Sequence, residues 1–360
     1  MKSILTINPG STTTKVAVFH DERAVKEISL SHDLEELKQY EDISDQKPMR
    51  ERAIVAWLTN EGVSLTDLDI IISRGGLVRP IPTGTYEVTD QMIEDLRVGY
   101  SGIHASNLGA QIAQDLARRA GIRAYITDPV ACDEMDDVAR ISGLPELTRR
   151  SNAHYLNIKA VGRRVCQEKG LDPLKDNLII CHLGGGISVV PSRAGRIVDS
   201  NNANEGGPFS PERAGTLPVA DLVRLAFSGS FTEKELLKQI IGRGGLMGYL
   251  GTNDGRRVEE RIAAGDAQAA LIYEAMGYQI AKEVGACAAV LCGEVRAIIL
   301  TGGLAYSKAL TEEIRRRTSF IAPLFVEPGE DEMKALAEAG LRILMHEEEA
   351  KDYDKEALQR

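Results

Sequence analysis

Two short apolar runs lie near the middle of the chain, on either side of a glycine turn. Residues 178–180 are Leu-Ile-Ile, residues 184–186 are three glycines, and residues 187–190 are Ile-Ser-Val-Val. Apolar runs this short between turn residues are typical of buried strands, so the pattern predicts a β-hairpin. Because glycine has no Cβ atom, a bulky anion can approach the backbone N–H groups of such a turn.

The N-terminus repeats this arrangement. Residues 3–7 and 15–19 are rich in apolar side chains and flank the turn N-P-G-S-T-T-T at residues 8–14. Two strand–turn–strand units in one chain predict a duplicated fold, with a phosphate chain held between its halves.

Strand-like and helix-like patterns alternate between the two hairpins. The helix patterns place apolar residues three or four positions apart, as at Leu108, Ile112 and Leu116. A β-rich start followed by such alternation is typical of an α/β domain with a mixed sheet. The strand patterns lie at residues 25–30, 68–73 and 124–127, and the helix patterns at residues 48–60, 89–97 and 108–120.

The second half of the chain continues the alternation. Residues 266–292 are rich in Ala and apolar nearly all round, which predicts a long buried helix. We predict an N-terminal domain of residues 1–149, joined by a C-terminal helix at residues 333–360, and a C-terminal nucleotide-binding domain of residues 150–332. The other predicted elements are helices at residues 152–169, 232–241 and 311–317, and strands at residues 195–199, 295–301 and 324–326.

Two long stretches show no periodicity. Residues 31–47 are polar and acid-rich, and they are predicted to form a mobile surface segment. Residues 201–218 are dense in Gly, Pro, Asn and Ser. A loop of that length inside a compact domain is usually functional or disordered.

Charge and composition restrict the classes of partner. The chain has 360 residues and a formal net charge of -10, which argues against nucleic acid or an anionic membrane as a partner. The five cysteines form no C-x-x-C pair, and no stretch resembles a signal peptide or a membrane span. We therefore expect a cytoplasmic protein, in which any anionic ligand is held by local arginines and amides.

Two arginines lie where strands give way to glycine-rich loops. Arg74 follows an apolar run and precedes a glycine pair, and Arg213 lies within residues 201–218. Either could be a surface arginine paired with a neighbouring acid. Their position in loops rather than on helix faces favours a second interpretation, in which planar guanidiniums clamp a carboxylate and a transferring phosphoryl group.

The candidate acids and histidines each have a structural alternative. Asp128 ends a strand pattern and could position Mg²⁺ or a metal-bound water. Glu332 begins the last helix pattern, where acids commonly complement the helix dipole. Without a Cys or Asp partner at metal-ligand spacing, His104, His154 and His182 are more often structural hydrogen-bonding residues than ligands.

Three motifs resemble those of the acetate and butyrate kinase family, within the actin/sugar-kinase/heat-shock superfamily. Residues 8–15 are similar to its first phosphate motif, N-x-G-S-S-S-x-K, and residues 182–188 to its second, H-L-G-x-G. Residues 301–305 resemble its adenosine motif. The resemblance covers nearly the whole chain and is closest to the butyrate kinase branch. It implies a duplicated ribonuclease H-like (actin-like ATPase) fold of two α/β domains, with mixed sheets flanked by helices.

The resemblance also implies roles for single residues. The implied catalytic residues are Asn8, Arg74, Asp128, Arg150, His154 and Arg213, and the implied magnesium ligands are Asp128 and Glu332. The implied nucleotide-binding residues are Gly10, Ser11, Thr12, Thr13, Lys15, His182, Gly184, Gly185, Gly186, Gly302 and Gly303, and the implied acyl-pocket residues are Gly75, Gly76, His104, Pro208 and Phe209.

Two departures from the acetate kinase pattern bear on specificity. Residues 73–76 read S-R-G-G where acetate kinases have H-R-V-V-H-G-G, so the wall of the acyl pocket is shortened. That leaves room for a longer or branched acid. Arg150 stands in place of the histidine that stabilises the phosphoryl group in acetate kinases, with His154 four residues later.

The implied activity is reversible, ATP-dependent phosphorylation of a short-chain fatty acid, linear or branched, to an acyl phosphate. Butyrate or isobutyrate is the expected acid, and ATP/ADP and Mg²⁺ are the expected cofactors. An acetate or propionate kinase, a sugar kinase and a non-enzymatic actin-like nucleotide switch remain alternatives. We also expect a homodimer or a larger homo-oligomer.

Overall fold

The structure is a computed structural model that describes residues 1–357. Its residue contacts divide the chain into two compact units. Unit 1 comprises Met1–Asp133, Tyr155–Ala160 and the described chain from Asp331 onward, and unit 2 comprises Glu134–His154 and Val161–Glu330. We predicted an N-terminal domain of residues 1–149 with 333–360 and a C-terminal domain of residues 150–332. Like the two units, these domains share the chain so that its C-terminal end joins the N-terminal part, and their exact limits stay a prediction.

Eleven strands form two sheets within the described residues. In chain order they are β1 (Ser3–Pro9), β2 (Thr13–His20), β3 (Arg23–Ser31), β4 (Ile70–Arg74), β5 (Thr85–Glu87), β6 (Arg123–Thr127), β7 (Leu178–Leu183), β8 (Ile187–Arg193), β9 (Arg196–Ile197), β10 (Ala297–Gly302) and β11 (Leu324–Pro328).

The helices connect and cover these strands. In chain order they are α1 (Leu34–Leu37), α2 (Lys47–Asn60), α3 (Asp90–Val98), α4 (Asn107–Ala120), α5 (Asp137–Arg140), α6 (Tyr155–Lys169), α7 (Val219–Ala226), α8 (Glu233–Ile240), α9 (Gly245–Leu250), α10 (Gly255–Ala263), α11 (Ala267–Val290), α12 (Lys308–Thr318), α13 (Glu332–Leu344) and α14 (Tyr353–Ala357). Short 3₁₀ helices lie at Ile43–Gln46, Leu65–Asp67 and Gly303–Tyr306.

The two sheets share one topology. The sheet of unit 1 has the order β3-β2-β1-β4-β6-β5, and that of unit 2 has the order β11-β10-β7-β8-β9. In each sheet the first three strands form an antiparallel meander, and the first strand then pairs in parallel with the next long strand along the chain. Both predicted hairpins are present, and the matching order bears out the predicted duplication.

The central strands β1 and β4 of the unit 1 sheet are buried on both faces, whereas the edge strand β3 is mostly exposed. Successive side chains of a strand point to opposite sides, so alternate residues enter different clusters. Leu5 and Ile71 belong to one hydrophobic cluster, whereas Ile4, Ile70 and Ile72 belong to another that includes residues of α13. Continuous apolar runs such as Ile-Ile-Ile in β4 are typical of strands covered on both faces.

Two expectations were wrong, and a third was only partly right. Most of the stretch 31–47 is exposed, as a surface segment would be, but it contains α1 and a 3₁₀ helix, and its His32 and Gln46 are buried. The predicted helix 333–360 is broken between α13 and α14, and its residues 358–360 lie outside the described residues. Helix α11 is only partly buried, since Leu271 is 65% exposed and Tyr278 is 45% exposed.

The α14 segment packs on unit 1 through a buried tyrosine. The Tyr353 hydroxyl accepts a hydrogen bond from the Arg79 backbone N–H at 3.1 Å and donates one to Asp95 Oδ2 at 2.9 Å. Arg79 in turn donates to both oxygens of Asp95, at 2.7 and 2.8 Å.

No helix within residues 1–357 has the length and apolar character needed to cross a bilayer.

We expect Tyr353→Phe to lower the free energy of unfolding by about 1–2 kcal/mol, because it leaves a partly buried N–H and a buried carboxylate each short of a partner. Urea unfolding followed by circular dichroism measures this. Tyr278→Phe is the matched control, since Tyr278 is exposed and its hydroxyl makes no hydrogen bond within residues 1–357. Identical unfolding curves for the two variants would contradict the expectation.

Candidate active site

In unit 1, candidate residues gather where three parallel strands end. β1 pairs with β4 through Ile7 and Ser73, and β4 pairs with β6 through Arg74 and Thr127. Asn8, Arg74 and Asp128 therefore lie at the carboxyl ends of neighbouring strands. Ligands of open α/β sheets commonly bind at this edge.

Glu332, the first residue of α13, contacts two of these residues. Asn8 Nδ2 donates to Glu332 Oε2 at 2.6 Å, and the guanidinium of Arg74 lies 2.9 Å from Glu332 Oε1. The pair is partly buried. One interpretation of the sequence had Arg74 paired with a neighbouring acid. Arg74 is paired with an acid, but that acid is Glu332, which is distant in sequence and is itself a candidate site residue.

Asp128 is held in an uncommon backbone conformation. Its φ is 40°, a left-handed value, and its side chain is buried. Gly84 N donates to Asp128 Oδ1 at 2.8 Å, and the Asp128 backbone N–H donates to Gly84 O at 3.0 Å. Non-glycine residues at positive φ are often found at functional sites, where the surroundings fix them.

His104 lies near Arg74. Its Nδ1 is 2.8 Å from Ser106 Oγ, and partial burial together with the positive charge of Arg74 lowers the pKa of the His104 imidazole.

The two glycines that follow Arg74, Gly75 and Gly76, are required by packing. A Cβ atom on Gly75 would lie 2.5 Å from Pro129 Cβ, and one on Gly76 would lie 2.6 Å from Asn107 Cα. The predicted place of Gly75, Gly76 and His104 in an acyl pocket stays a prediction.

The first glycine turn presents donors to solvent. Ser11, Thr12 and Lys15 are exposed, and Thr13 is half-buried. Within residues 1–357 the N–H groups of Ser11 and Thr12 donate no hydrogen bond, and Lys15 makes no ion pair. Gly10 N donates to Thr13 O at 2.7 Å, which closes the turn.

In unit 2, the two other glycine turns meet at the end of a parallel strand pair. His182 of β7 pairs with Thr301 of β10, so residues 184–186 and 302–303 leave the sheet at the same edge. Gly302 exchanges backbone hydrogen bonds with Gly329 at 3.0 and 2.9 Å. The second phosphate motif and the adenosine motif are therefore adjacent.

Arg213 lies directly against the second glycine turn. A Cβ atom on Gly186 would be 2.3 Å from Arg213 Nη1, so only glycine leaves room for the guanidinium. Ser210 Oγ donates to Gly185 O at 2.6 Å and accepts from the Arg213 N–H at 3.1 Å, which holds the loop on the turn.

The Arg213 guanidinium makes no hydrogen bond or ion pair within the described chain. Burial lowers the pKa of Arg213, partly opposed by the negative charge of Glu212. Glu212 offsets the cost of burying this cation only in part, so a bound anion would stabilise the site further.

Two histidines stack beside this turn. The rings of His154 and His182 lie 3.9 Å apart and nearly parallel. His154 Nδ1 is 2.9 Å from Ser188 Oγ, and His182 Nε2 is 3.4 Å from Glu330 Oε2. No local pattern indicated Glu330 as a partner, because it follows β11 in the sequence and reaches His182 only through the fold.

The remaining candidates of unit 2 differ in exposure. Arg150 is exposed and makes no ion pair or hydrogen bond with any residue from 1 to 357. Pro208 and Phe209 are buried, and Phe209 belongs to the hydrophobic core that also contains Leu246. The predicted place of Pro208 and Phe209 in an acyl pocket stays a prediction.

Residues 145–348, more than half of the chain, match the model of the Acetokinase family. The chain belongs to the acetokinase family. The family resemblance stated from the sequence motifs is therefore confirmed.

Two relatives in the acetokinase family match nearly the whole chain. "Probable butyrate kinase 2" of Caldanaerobacter subterraneus subsp. tengcongensis is 53% identical over 353 residues, which cover 98% of this chain and 100% of that protein. "Butyrate kinase 2" of Clostridium acetobutylicum is 50% identical over 351 residues, with 97% and 99% covered.

A solved structure confirms the predicted fold class. The crystal structure of Porphyromonas gingivalis acetate kinase superposes with a TM-score of 0.80, covering 96% of this chain and 100% of that chain, at 19% identity. The acetokinase chain described here is therefore a two-domain α/β protein of the actin-like ATPase type.

We expect Arg74→Gln to raise the pKa of His104 towards its ordinary value, because the variant removes one of the two causes that lower it. Burial remains, so part of the lowering should persist. NMR titration of the imidazole nitrogens measures the change. Arg23→Gln is the control, since Arg23 lies on the edge strand β3 at the opposite end of the sheet. A His104 pKa that is the same in both variants would contradict the placement of Arg74.

Proposed function

We propose that this chain catalyses the reversible transfer of a phosphoryl group between ATP and the carboxylate of a short-chain fatty acid, with butyrate or isobutyrate preferred. Membership of the acetokinase family establishes the enzyme class, a phosphotransferase with a carboxyl acceptor, and the use of ATP/ADP. The preference for butyrate is supported by two near full-length relatives that carry the name butyrate kinase 2.

The position of Arg213 is the structural observation that supports the proposal most directly. The Arg213 guanidinium lies against the glycine turn at residues 184–186 and forms no ion pair or hydrogen bond within residues 1–357. Planar guanidiniums match the geometry of carboxylate and phosphoryl oxygens. Arg213 would therefore bind the group in transfer, beside backbone amides that favour the same charge.

The chemistry requires charge neutralisation rather than a base. A fatty acid with a pKa of about 4–5 is already ionised at pH 7, so its oxygen is a ready nucleophile. The barrier comes from bringing two anions together in line. In unit 1, Arg74 and the exposed amides of Ser11 and Thr12 would reduce that repulsion, with Lys15 as a further candidate. In unit 2, Arg213 would do so, with Arg150 and the stacked His154 and His182 as further candidates.

Before any substrate binds, Arg74 forms an ion pair with Glu332. Its guanidinium is 2.9 Å from Glu332 Oε1, so a substrate carboxylate would have to share or replace that partner. Asp128, held by Gly84, would position neighbouring groups rather than remove a proton. A sugar kinase, which transfers to a neutral hydroxyl, would need a carboxylate base instead.

Glu332 and Asn8 are the residues that would hold a magnesium ion, because a carboxylate and an amide can each supply an oxygen ligand. The Asn8 amide nitrogen donates to Glu332 Oε2 and Arg74 lies on Oε1, so both side chains would have to exchange these partners for the ion. Within residues 1–357 no group of three acidic, histidine or cysteine side chains forms a ready metal site. Mg²⁺ is commonly held by one or two carboxylates together with phosphate oxygens, so Glu332 and Asp128 would be its carboxylate ligands. When bound, Mg²⁺ would neutralise charge on the phosphates.

The shortened segment at residues 73–76 supports a larger acid than acetate. Acetate or propionate is the less favoured alternative, since the near full-length relatives are named butyrate kinases. A homo-oligomeric assembly and a cytoplasmic location stay predictions.

We expect butyrate and isobutyrate, incubated with Mg-ATP and hydroxylamine, to yield acyl hydroxamates with a higher kcat/KM than acetate. The physical reason is the greater apolar area that a C4 acid buries, worth about 0.8 kcal/mol per methylene. Omission of ATP is the control. Absence of hydroxamate from every acid from C2 to C6 would contradict the proposed activity.

We expect Gly186→Ala to reduce kcat/KM by roughly tenfold or more while leaving the unfolding midpoint nearly unchanged, since the added methyl group displaces the guanidinium of Arg213 from its position. Steady-state kinetics and thermal unfolding measure the two effects. Arg213→Ala should be at least as impaired.

Gly143→Ala is the matched control, because a Cβ atom there meets no atom within 4 Å. Full activity in Gly186→Ala would remove Arg213 from the proposed site.

A further inference from the structure

Arg50, on helix α2, lies beneath the first glycine turn and is fully buried. Its Nη1 donates to Gly10 O at 2.8 Å and to Thr13 O at 3.1 Å, and its Nη2 donates to Ser11 O at 2.8 Å. Nη1 also donates to Thr14 Oγ1 at 3.1 Å. One guanidinium therefore binds three carbonyl groups of a single turn.

The buried charge of Arg50 has no carboxylate partner among the described residues. Outside the turn the guanidinium donates to one acceptor, Gln46 Oε1, which is 2.9 Å from Nη2 and 3.3 Å from Nε. Burial lowers the pKa of Arg50, but arginine remains charged in proteins. Neutral oxygens thus satisfy the guanidinium's hydrogen bonds without cancelling its charge.

His32 donates to the carbonyl of Thr12, the one carbonyl of residues 10–13 that Arg50 does not contact. Its backbone N–H donates to Thr12 O at 2.9 Å, and its Nε2 lies 2.8 Å from Thr14 Oγ1. Burial and the charge of Arg50 lower the pKa of His32 to about 4, so its ring is neutral at pH 7. The carbonyls of residues 10–13 are therefore all engaged by buried or backbone donors.

With these carbonyls engaged, the N–H groups of Ser11 and Thr12 are the backbone groups of the turn that a ligand can reach. Those of Ser11 and Thr12 donate to no acceptor within residues 1–357, and both residues are exposed. Successive unpaired N–H groups in a turn form an anion-binding concavity. An uncompensated positive charge on the other side of the same backbone strengthens that preference.

We propose that Arg50 is a positioning residue for phosphate binding. It fixes the carbonyls of residues 10–13 inward, orients the N–H groups of Ser11 and Thr12 towards a phosphate group, and adds a positive charge behind them. This inference rests on the proposed function, because it assumes that the turn binds the phosphates of ATP.

The test compares Arg50→Lys and Arg50→Met with the wild type. Lysine keeps the charge but loses the fork that spans three carbonyls, and methionine loses both. The matched controls are Arg52→Lys and Arg52→Met, on the same helix, because Arg52 is exposed and has no partner within residues 1–357. Calorimetry gives the Kd of ATP, inorganic tripolyphosphate and adenosine, and steady-state kinetics give kcat and the KM for ATP.

We expect the Kd of ATP and of tripolyphosphate to rise by roughly ten- to a hundredfold in Arg50→Met, and by less in Arg50→Lys. The Kd of adenosine should stay within about twofold, since a positioning role affects only the phosphate contacts. Unchanged tripolyphosphate binding would overturn the inference. An equal loss for adenosine would also overturn it, because that result indicates general damage to the fold.

Gln46→Leu provides a second route if the Arg50 variants do not fold. It removes the side-chain oxygen that orients the guanidinium, and it should weaken tripolyphosphate binding several-fold while sparing adenosine. Unchanged binding in Gln46→Leu would overturn the inference. Failure of the proposed function would instead appear in the wild type, as the absence of acyl hydroxamate from butyrate.

Discussion

The candidate site depends on two arginine guanidiniums that are at least partly buried and form no ion pair. Arg213 lies against one glycine turn and Arg50 beneath another, and neither forms an ion pair within residues 1–357. In a chain with a net charge of -10, such local cations are needed to attract an anion. Removal from water is costly for each of them, and a bound phosphate or carboxylate would offset that cost.

The sheets determine where the other polar groups can gather. Within a sheet covered on both faces, polar side chains are tolerated mainly where strands end. Asn8, Arg74 and Asp128 share such an edge in unit 1, and the turns at residues 184–186 and 302–303 share one in unit 2. Duplication of one topology therefore produces two edges of the same kind, each suited to a different part of a nucleotide-dependent reaction.

Local sequence patterns were sufficient for most of the fold. Both hairpins and the long strands and helices follow from apolar periodicity and turn residues, and the motifs at residues 8–15 and 182–188 indicated the family. The polar stretch at residues 31–47 is mostly exposed as predicted, but its composition did not reveal its short helices or its two buried side chains, His32 and Gln46.

Long-range partners could not be predicted from local patterns. Glu332 with Arg74, Glu330 with His182, and Arg50 with the turn at residues 10–13 join segments that are distant in sequence. Each contact depends on the folded sheet rather than on neighbouring residues. Glu332 was already a candidate from the sequence, whereas Glu330 and Arg50 were missed, and both contact motif residues that the sequence did identify.

The most direct test is a crystal structure of the protein with a non-hydrolysable ATP analogue. We expect phosphate oxygens within about 3.2 Å of the backbone nitrogens of Ser11 and Thr12, and an anionic oxygen on the Arg213 guanidinium. Phosphates bound away from all three groups would contradict it.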